Sequence, residues 1–200
     1  MKNTTLLPLH CLLTVVIGGL ISLCMTSCLS DEDGPNYPTG AEELVGDYTG
    51  EMTIHLPSKD SLLKVELRLD ETLHLYPMPI ARVLDSISVT MPMTPEQHEY
   101  KELLLGSVAL YSTYTISNID ANLVGVNIPP SVTDIRLDTK EGWRKVRLSL
   151  SADEPLTYHR DTKSIDVRLR FHDAMVNGER AEHFKDITME GTLRSVKASN

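Results

Sequence analysis

Cysteine is scarce in this chain: there are three in 200 residues, Cys11, Cys24 and Cys28, all near the start. Everything after position 28 is free of thiols, so disulfide staples, thiolate nucleophiles and cysteine metal sites are excluded there. Aromatic side chains make up 5% of the sequence, with one tryptophan, Trp143, and two phenylalanines, which leaves little material for ring stacking. Basic residues are outnumbered, 19 Lys and Arg against 28 Asp and Glu, for a formal charge of −9. Such a surface repels nucleic-acid phosphates and anionic lipid head groups, so nucleic-acid binding is not expected. The most apolar stretch, residues 11–25, is about 15 residues long and falls short of the roughly 20 that a spanning helix needs. The sequence also lacks a His-Glu-x-x-His zinc helix, a Gly-x-Ser-x-Gly elbow, a phosphate-cradling glycine loop and an Asp-ladder calcium loop. No catalytic residue, metal or cofactor is expected.

The first thirty residues carry an address. Lys2, the apolar stretch at 11–25, and the small Thr26 and Ser27 form the three parts of a secretory signal, residues 1–27. Met25-Thr26-Ser27-Cys28 resembles the lipobox of bacterial lipoproteins. That resemblance implies cleavage before Cys28 and acylation of its thiol and new amino group, and several acyl chains anchor a protein firmly. An uncleaved anchor helix and a soluble secreted protein are the alternatives. Ser30, Asp31, Glu32 and Asp33 follow, and resemble the export signal that carries lipoproteins of Bacteroidota to the outer face of the outer membrane. An acidic stretch at a chain terminus equally suits a solvated linker, which leaves a periplasm-facing anchor as the alternative. Gly34, Pro35, Pro38 and Gly40 complete a tether over residues 28–43, and residues 44–200 are expected to form one domain.

Within that domain the dominant pattern has period two. Met52, Ile54 and Leu56 alternate with Glu51, Thr53 and His55, as a half-buried strand requires, and Pro57 ends the run. Leu63, Val65, Leu67 and Leu69 alternate with Lys64, Glu66, Arg68 and Asp70, and the intervening Ser58-Lys59-Asp60-Ser61 makes the two runs a hairpin. Later runs place Val146, Leu148 and Leu150 inward, then Ile165, Val167, Leu169 and Phe171, then Ile187 and Met189. Shorter strand candidates fall at residues 108–116, 123–128 and 132–137, for about eight strands in all. One dry face and one wet face predict antiparallel sheets closed into a barrel or stacked as a sandwich.

Two stretches have helical period. Ile80, Val83, Leu84 and Ile87 stand at i, i+3, i+4 and i+7, although a strand end is an alternative there. Thr94, Pro95 and Gln97 form a capping box ahead of a helix that Gly106 stops, and Tyr100, Leu103 and Leu104 are expected to face the core. The opening Gly46-Asp47-Tyr48-Thr49-Gly50, the strand count and Tyr76-Pro77-Met78-Pro79-Ile80 together resemble uncharacterised Bacteroidota surface lipoproteins with a calycin-like or lipocalin-like β-barrel. The resemblance implies a mainly β antiparallel barrel, with a cavity or partner surface at its mouth, and brings no catalytic residues.

The remaining candidates read as structural. His55, His74, His98, His159, His172 and His183 show no metal spacing, and His55 and His172 sit on polar strand faces where solvation is the default. His172 and Asp173 are adjacent, hence on opposite faces of a strand, and make poor acid–base partners. Glu51, Glu66 and Asp70 are expected to pair with Lys64 and Arg68 across strands. Trp143, following Gly142 at a strand start, is expected to plug the core, with a sugar-stacking platform as the sharper option. Met78, Met91 and Met93 stand among prolines and suit either packing or an adaptable apolar pocket. The leading expectation is a lipid-anchored, non-enzymatic ligand-binding or accessory module for a small apolar ligand, a glycan or an envelope protein. A fimbrial or envelope-complex subunit is second, with residues 186–196 as a donor strand or as the strand that closes the barrel. A carboxylate- or histidine-based hydrolase is third.

Overall fold

The computed structural model describes residues 40–87, 92–106, 108–118 and 120–196. Chain order is β1 (Gly46–His55), β2 (Asp60–Leu69), β3 (Leu73–Tyr76), α1 (Ile80–Asp85), α2 (Pro95–Leu105), β4 (Leu110–Ser112), β5 (Thr115–Asn118), β6 (Leu123–Asn127), β7 (Ser131–Thr139), β8 (Gly142–Ser151), β9 (Leu156–His159), β10 (Ser164–Val176), β11 (Glu179–Arg180) and β12 (Ile187–Ser195). All of these strands join one antiparallel sheet, ordered β4-β3-β2-β1-β12-β10-β9-β6-β5, with β8 and then β7 leaving the far end of β10. The fold is mainly β, a sheet curled on itself as a half-barrel with two short helices, as the alternation requires.

Alternation fixes which side curls inward. Met52 and Ile54 of β1, Val65, Leu67 and Leu69 of β2, Val146, Leu148 and Leu150 of β8, and Ile165 to Phe171 at every second position of β10 form one core. The 13-residue β10 serves two neighbours on one edge, changing partner between Asp166 and Arg170, and carries a bulge within the second pairing. Residues 164–166 pair with β9 and residues 170–176 with β8, with a register shift between Phe171 and Asp173 that sets His172 out of line. The strand runs on past Phe171, the last inward residue of the alternating run, to Val176. Asp173 turns toward Arg180, 3.4 Å away, instead of toward its neighbour His172.

Where β1 meets β12 the pairing runs through Thr49 and Arg194 and resumes at Thr53 and Glu190. Between these points the backbones close on their inner side. A Cβ on Gly191 would stand 2.5 Å from the Glu51 carbonyl oxygen, and one on Gly50 would stand 2.8 Å from that of Thr192. Two residues without side chains are what allow the sheet to curl so tightly there. In this structure β12 lies between β1 and β10 with both edges engaged, an interior position in an open, curled sheet and not the seam of a closed barrel.

The core starts earlier in the chain than the expected boundary at residue 44. Ala41 and Leu44 are fully buried, the Tyr48 hydroxyl donates to the Leu44 carbonyl at 2.7 Å, and Glu43 takes a two-point bond from Arg160. Tyr158 stands edge-on to Tyr48 with centroids 6.3 Å apart, and burial pushes both phenols above their usual range. The end of the tether is therefore part of the domain. The structure also contains β3 and β9, four residues each, which the period-two reading does not anticipate. Residues 80–85 are helical, and the stretch at 108–116 divides into β4 and β5.

Candidate functional site

The α2 helix forms for local reasons. Thr94 Oγ1 accepts from the Gln97 N–H at 3.2 Å, Gln97 Oε1 accepts from the Thr94 N–H at 2.8 Å, and Pro95 occupies the first turn. This capping box satisfies donors that a helix start leaves open. Glu96 lies in that first turn, where a backbone N–H bond holds its carboxyl below the usual range.

Only Lys101 and Leu105 of α2 are buried. The Lys101 ammonium, 2% exposed, donates to Asp85 at the end of α1 and lies 3.3 Å from Glu102. The helix is thus fastened by a charge and one leucine, and its apolar residues turn the other way. Tyr100 is 56% exposed, Leu103 72% and Leu104 49%. The expectation that these three face the core is overturned: the ammonium, with carboxylates on two sides, takes the inward position that an apolar residue would otherwise fill.

The second wall is the tip of the β7–β8 hairpin. Thr139, nearly buried, donates to the Gly142 carbonyl at 2.7 Å, and Gly142 has φ +99°, a left-handed turn conformation that glycine adopts without strain. Trp143 follows directly, opposite Asp138 in register, and is 54% exposed. The core-plug reading is thereby corrected. Val146, Leu148 and Leu150 face inward, so position 143 has outward parity along with Lys145 and Arg147. The Arg136 guanidinium lies 4.6 Å from the Trp143 ring centroid.

Between α2 and this tip lies a groove of about 330 Å³. Met93, Leu104, Leu105 and Leu137 make it apolar, Tyr100 and Trp143 supply rings, and Glu96, Gln97, Arg136 and Asp138 supply polar groups. A concave, mostly apolar site with a few placed polar groups suits binding more than bond making. Met93 lines it, Met78 is core, and Met91 lies outside the described residues.

Other clusters have plainer accounts. His55 Nδ1 lies 3.1 Å from Asp60 and Nε2 3.2 Å from Glu190, so this imidazole is paired and not merely solvated, and the two bonds raise its pKa above the ordinary value. His159 Nε2 lies 2.8 Å from Asp166, and Ser164 pairs with His159 across the strands, but the Ser164 hydroxyl is bonded to Thr162 at 2.8 Å and not to the imidazole. His74 stacks on Tyr111 with centroids 4.3 Å apart at the sheet edge. Arg68 pairs with Asp70 at 2.9 Å, along one run and not across strands as expected, while Glu51 stands opposite Lys64 in register. Among the described residues no three His, Cys, Asp or Glu side chains group as a metal site, and no helix is long and apolar enough to cross a membrane.

Of the residues the sequence marks, Cys28, Ser30, Asp31, Glu32 and Asp33 lie outside the described residues. Comparison with protein-family models, with curated proteins and with solved structures gave no match for the chain.

Proposed function

We propose that this chain is a lipid-anchored lipoprotein of the outer membrane, displayed at the cell surface, and that its domain is a non-enzymatic binding module working through the groove between α2 and the β7–β8 tip. The observation that carries the binding role is the exposure of Tyr100, Leu103, Leu104 and Trp143 on adjoining elements. Apolar side chains gathered at one place on a surface mark a contact site, and Trp, Tyr and Arg, here Trp143, Tyr100 and Arg136, are the types that anchor contacts most often. The lipid anchor rests on the residues before Cys28, and surface display on Ser30, Asp31, Glu32 and Asp33. The non-enzymatic reading draws on Ser164, whose hydroxyl is committed to Thr162 and so is not activated by His159.

Trp143 is the sole tryptophan and stands in the groove, so its emission reports occupancy without a label. Titrating the protein with an apolar naphthalene sulfonate dye is expected to shift Trp143 emission to the blue, and Leu104→Glu is expected to abolish the shift. An unchanged emission at dye saturation removes the groove as a binding site. The anchor has its own test: Cys28→Ser is expected to release the protein from the membrane fraction, and retention of that variant overturns the lipid attachment.

A further inference from the structure

The groove is one side of α2. Leu103 and Glu99 lie beyond its outer margin, pointing away from the packed side, because Leu103 is two residues from both buried positions, Lys101 and Leu105, and Glu99 is two from Lys101. Glu96 and Tyr100 flank them on the helix surface, so the outward face is an apolar pair, Tyr100 and Leu103, bordered by carboxylates. Whatever small molecule fills the groove leaves Leu103 in water. Covering it takes a macromolecule.

Adjoining the groove along the β7–β8 hairpin lies a second hollow, a bay of about 450 Å³ formed by Ile135, Trp143 and the side chains of Arg136, Arg144 and Lys145, together with Asp134 and Asn177. Its rim is basic. Arg144 is held by Glu141 at 2.7 Å, and Asp134 is shared between Lys145 at 3.1 Å and Arg147 at 2.8 Å, so cations outnumber carboxylates along this edge. One chain thus carries an apolar stripe with acidic borders next to an apolar bay with a basic border, and Trp143 and Arg136 belong both to the bay and to the groove beside the stripe.

We infer that this face pairs with a second copy of the same chain, the Tyr100 and Leu103 stripe of each copy seated in the Trp143, Arg144 and Lys145 bay of the other. Charge complementarity selects the occupant: Glu96 and Glu99 meet Arg144 and Lys145, and in a two-fold arrangement the contact is made twice. Because the stripe and bay adjoin, an axis passing near Trp143 satisfies both contacts at once and closes the pair, whereas distant patches would propagate an open filament. This goes beyond the groove-binding reading and does not depend on it.

The test is the mass of the full, acylated chain in density-matched neutral detergent, measured by sedimentation across a concentration series. A monomer–dimer equilibrium weakened by salt is expected. Leu103→Ser, which leaves the charge untouched, is expected to weaken it about tenfold or more. Glu99→Lys and Lys145→Glu are each expected to give monomers, and an equal mixture of the two is expected to restore a dimer, since the altered stripe of one then meets the altered bay of the other. Lys145→Gln serves if Lys145→Glu does not fold, and is expected to dimerise more weakly than the parent. A wild-type monomer throughout the series, a dimer indifferent to these changes, a mixture that stays monomeric, or open polymers would each overturn the inference. Because Trp143 belongs to both the groove and the bay, the dye shift is read on the Glu99→Lys monomer, where it reports on the groove alone, so the two readings fail separately.

Discussion

The Arg136 guanidinium lies 4.6 Å from the centroid of the Trp143 ring, reaching it diagonally across the β7–β8 pair. A cation over an exposed indole contributes about 0.5–1 kcal/mol, and it also restricts a ring that would otherwise rotate in water. Arg136→Ala is expected to lower stability by no more than about 1 kcal/mol while moving Trp143 emission further to the red. Urea unfolding followed at Trp143 gives both values. A loss of several kcal/mol would mean that Arg136 has a core role.

Gly191 and Gly50 mark the tightest point of the curl. A Cβ on Gly191 meets backbone on the neighbouring strand, the Glu51 oxygen at 2.5 Å and Met52 Cα at 3.0 Å, and backbone cannot swing aside as a long side chain can. Gly191→Ala is expected to cost about 1–3 kcal/mol, the range for overpacking, and to shift the urea midpoint accordingly. A neutral outcome would show that the sheet opens at little cost.

His55 joins the β1–β2 turn to β12 through Asp60 and Glu190, and both contacts favour the charged imidazolium. Its folded pKa is raised above the ordinary 6.5 of the unfolded chain. The stabilisation is therefore complete below about pH 6.5 and fades as pH climbs through the folded pKa. All three groups are substantially exposed, so solvent and salt screening hold the effect to less than about 0.5 kcal/mol. An NMR titration is expected to place His55 above 6.5, with His55→Asn flattening the stability profile on the alkaline side. A His55 titration at or below 6.5 would refute the pairing.

Lys101 predicts an asymmetry. Its ammonium is buried while its carboxylate partners Asp85 and Glu102 are about half exposed. Removing Asp85 leaves part of a buried charge uncompensated, whereas replacing Lys101 by an apolar side chain of similar length leaves carboxylates that water can serve. Asp85→Ala is expected to destabilise by about 1–3 kcal/mol, softened by Glu102, and Lys101→Met by less. The order of the two melting temperatures decides it, and the reverse order would show that the pair is held for its own attraction.

Long alternation carried the fold. Strands such as β2 and β8, ten residues each with charged or polar side chains at most alternate positions, are legible because one face is wet and the other dry. The strands β3 and β9 are not, since Leu73 and Leu75, or Leu156 and Tyr158, give a single repeat that any loop can match. The bulge at His172 is likewise silent, because a one-residue slip leaves composition unchanged. For the site, the Thr94 cap was plain in the sequence but the orientation of α2 was not. An apolar wheel points Tyr100, Leu103 and Leu104 inward by default, and only the pairing of Lys101 with Asp85, on another element, reverses it. Trp143 carried a usable signal in its parity against Val146, Leu148 and Leu150, since an odd position on a strand whose even positions are buried points outward.

The last strand to be made, β12, lies between the first, β1, and the long β10. The sheet has no stable middle until its final residues arrive, and the contact that completes it joins positions separated by most of the domain. Such pairing is slow to find and impossible to complete early. Local hairpins such as β1–β2 and β7–β8 need nothing from β12, so two half-sheets stand ready and the strand that seams them together comes after both.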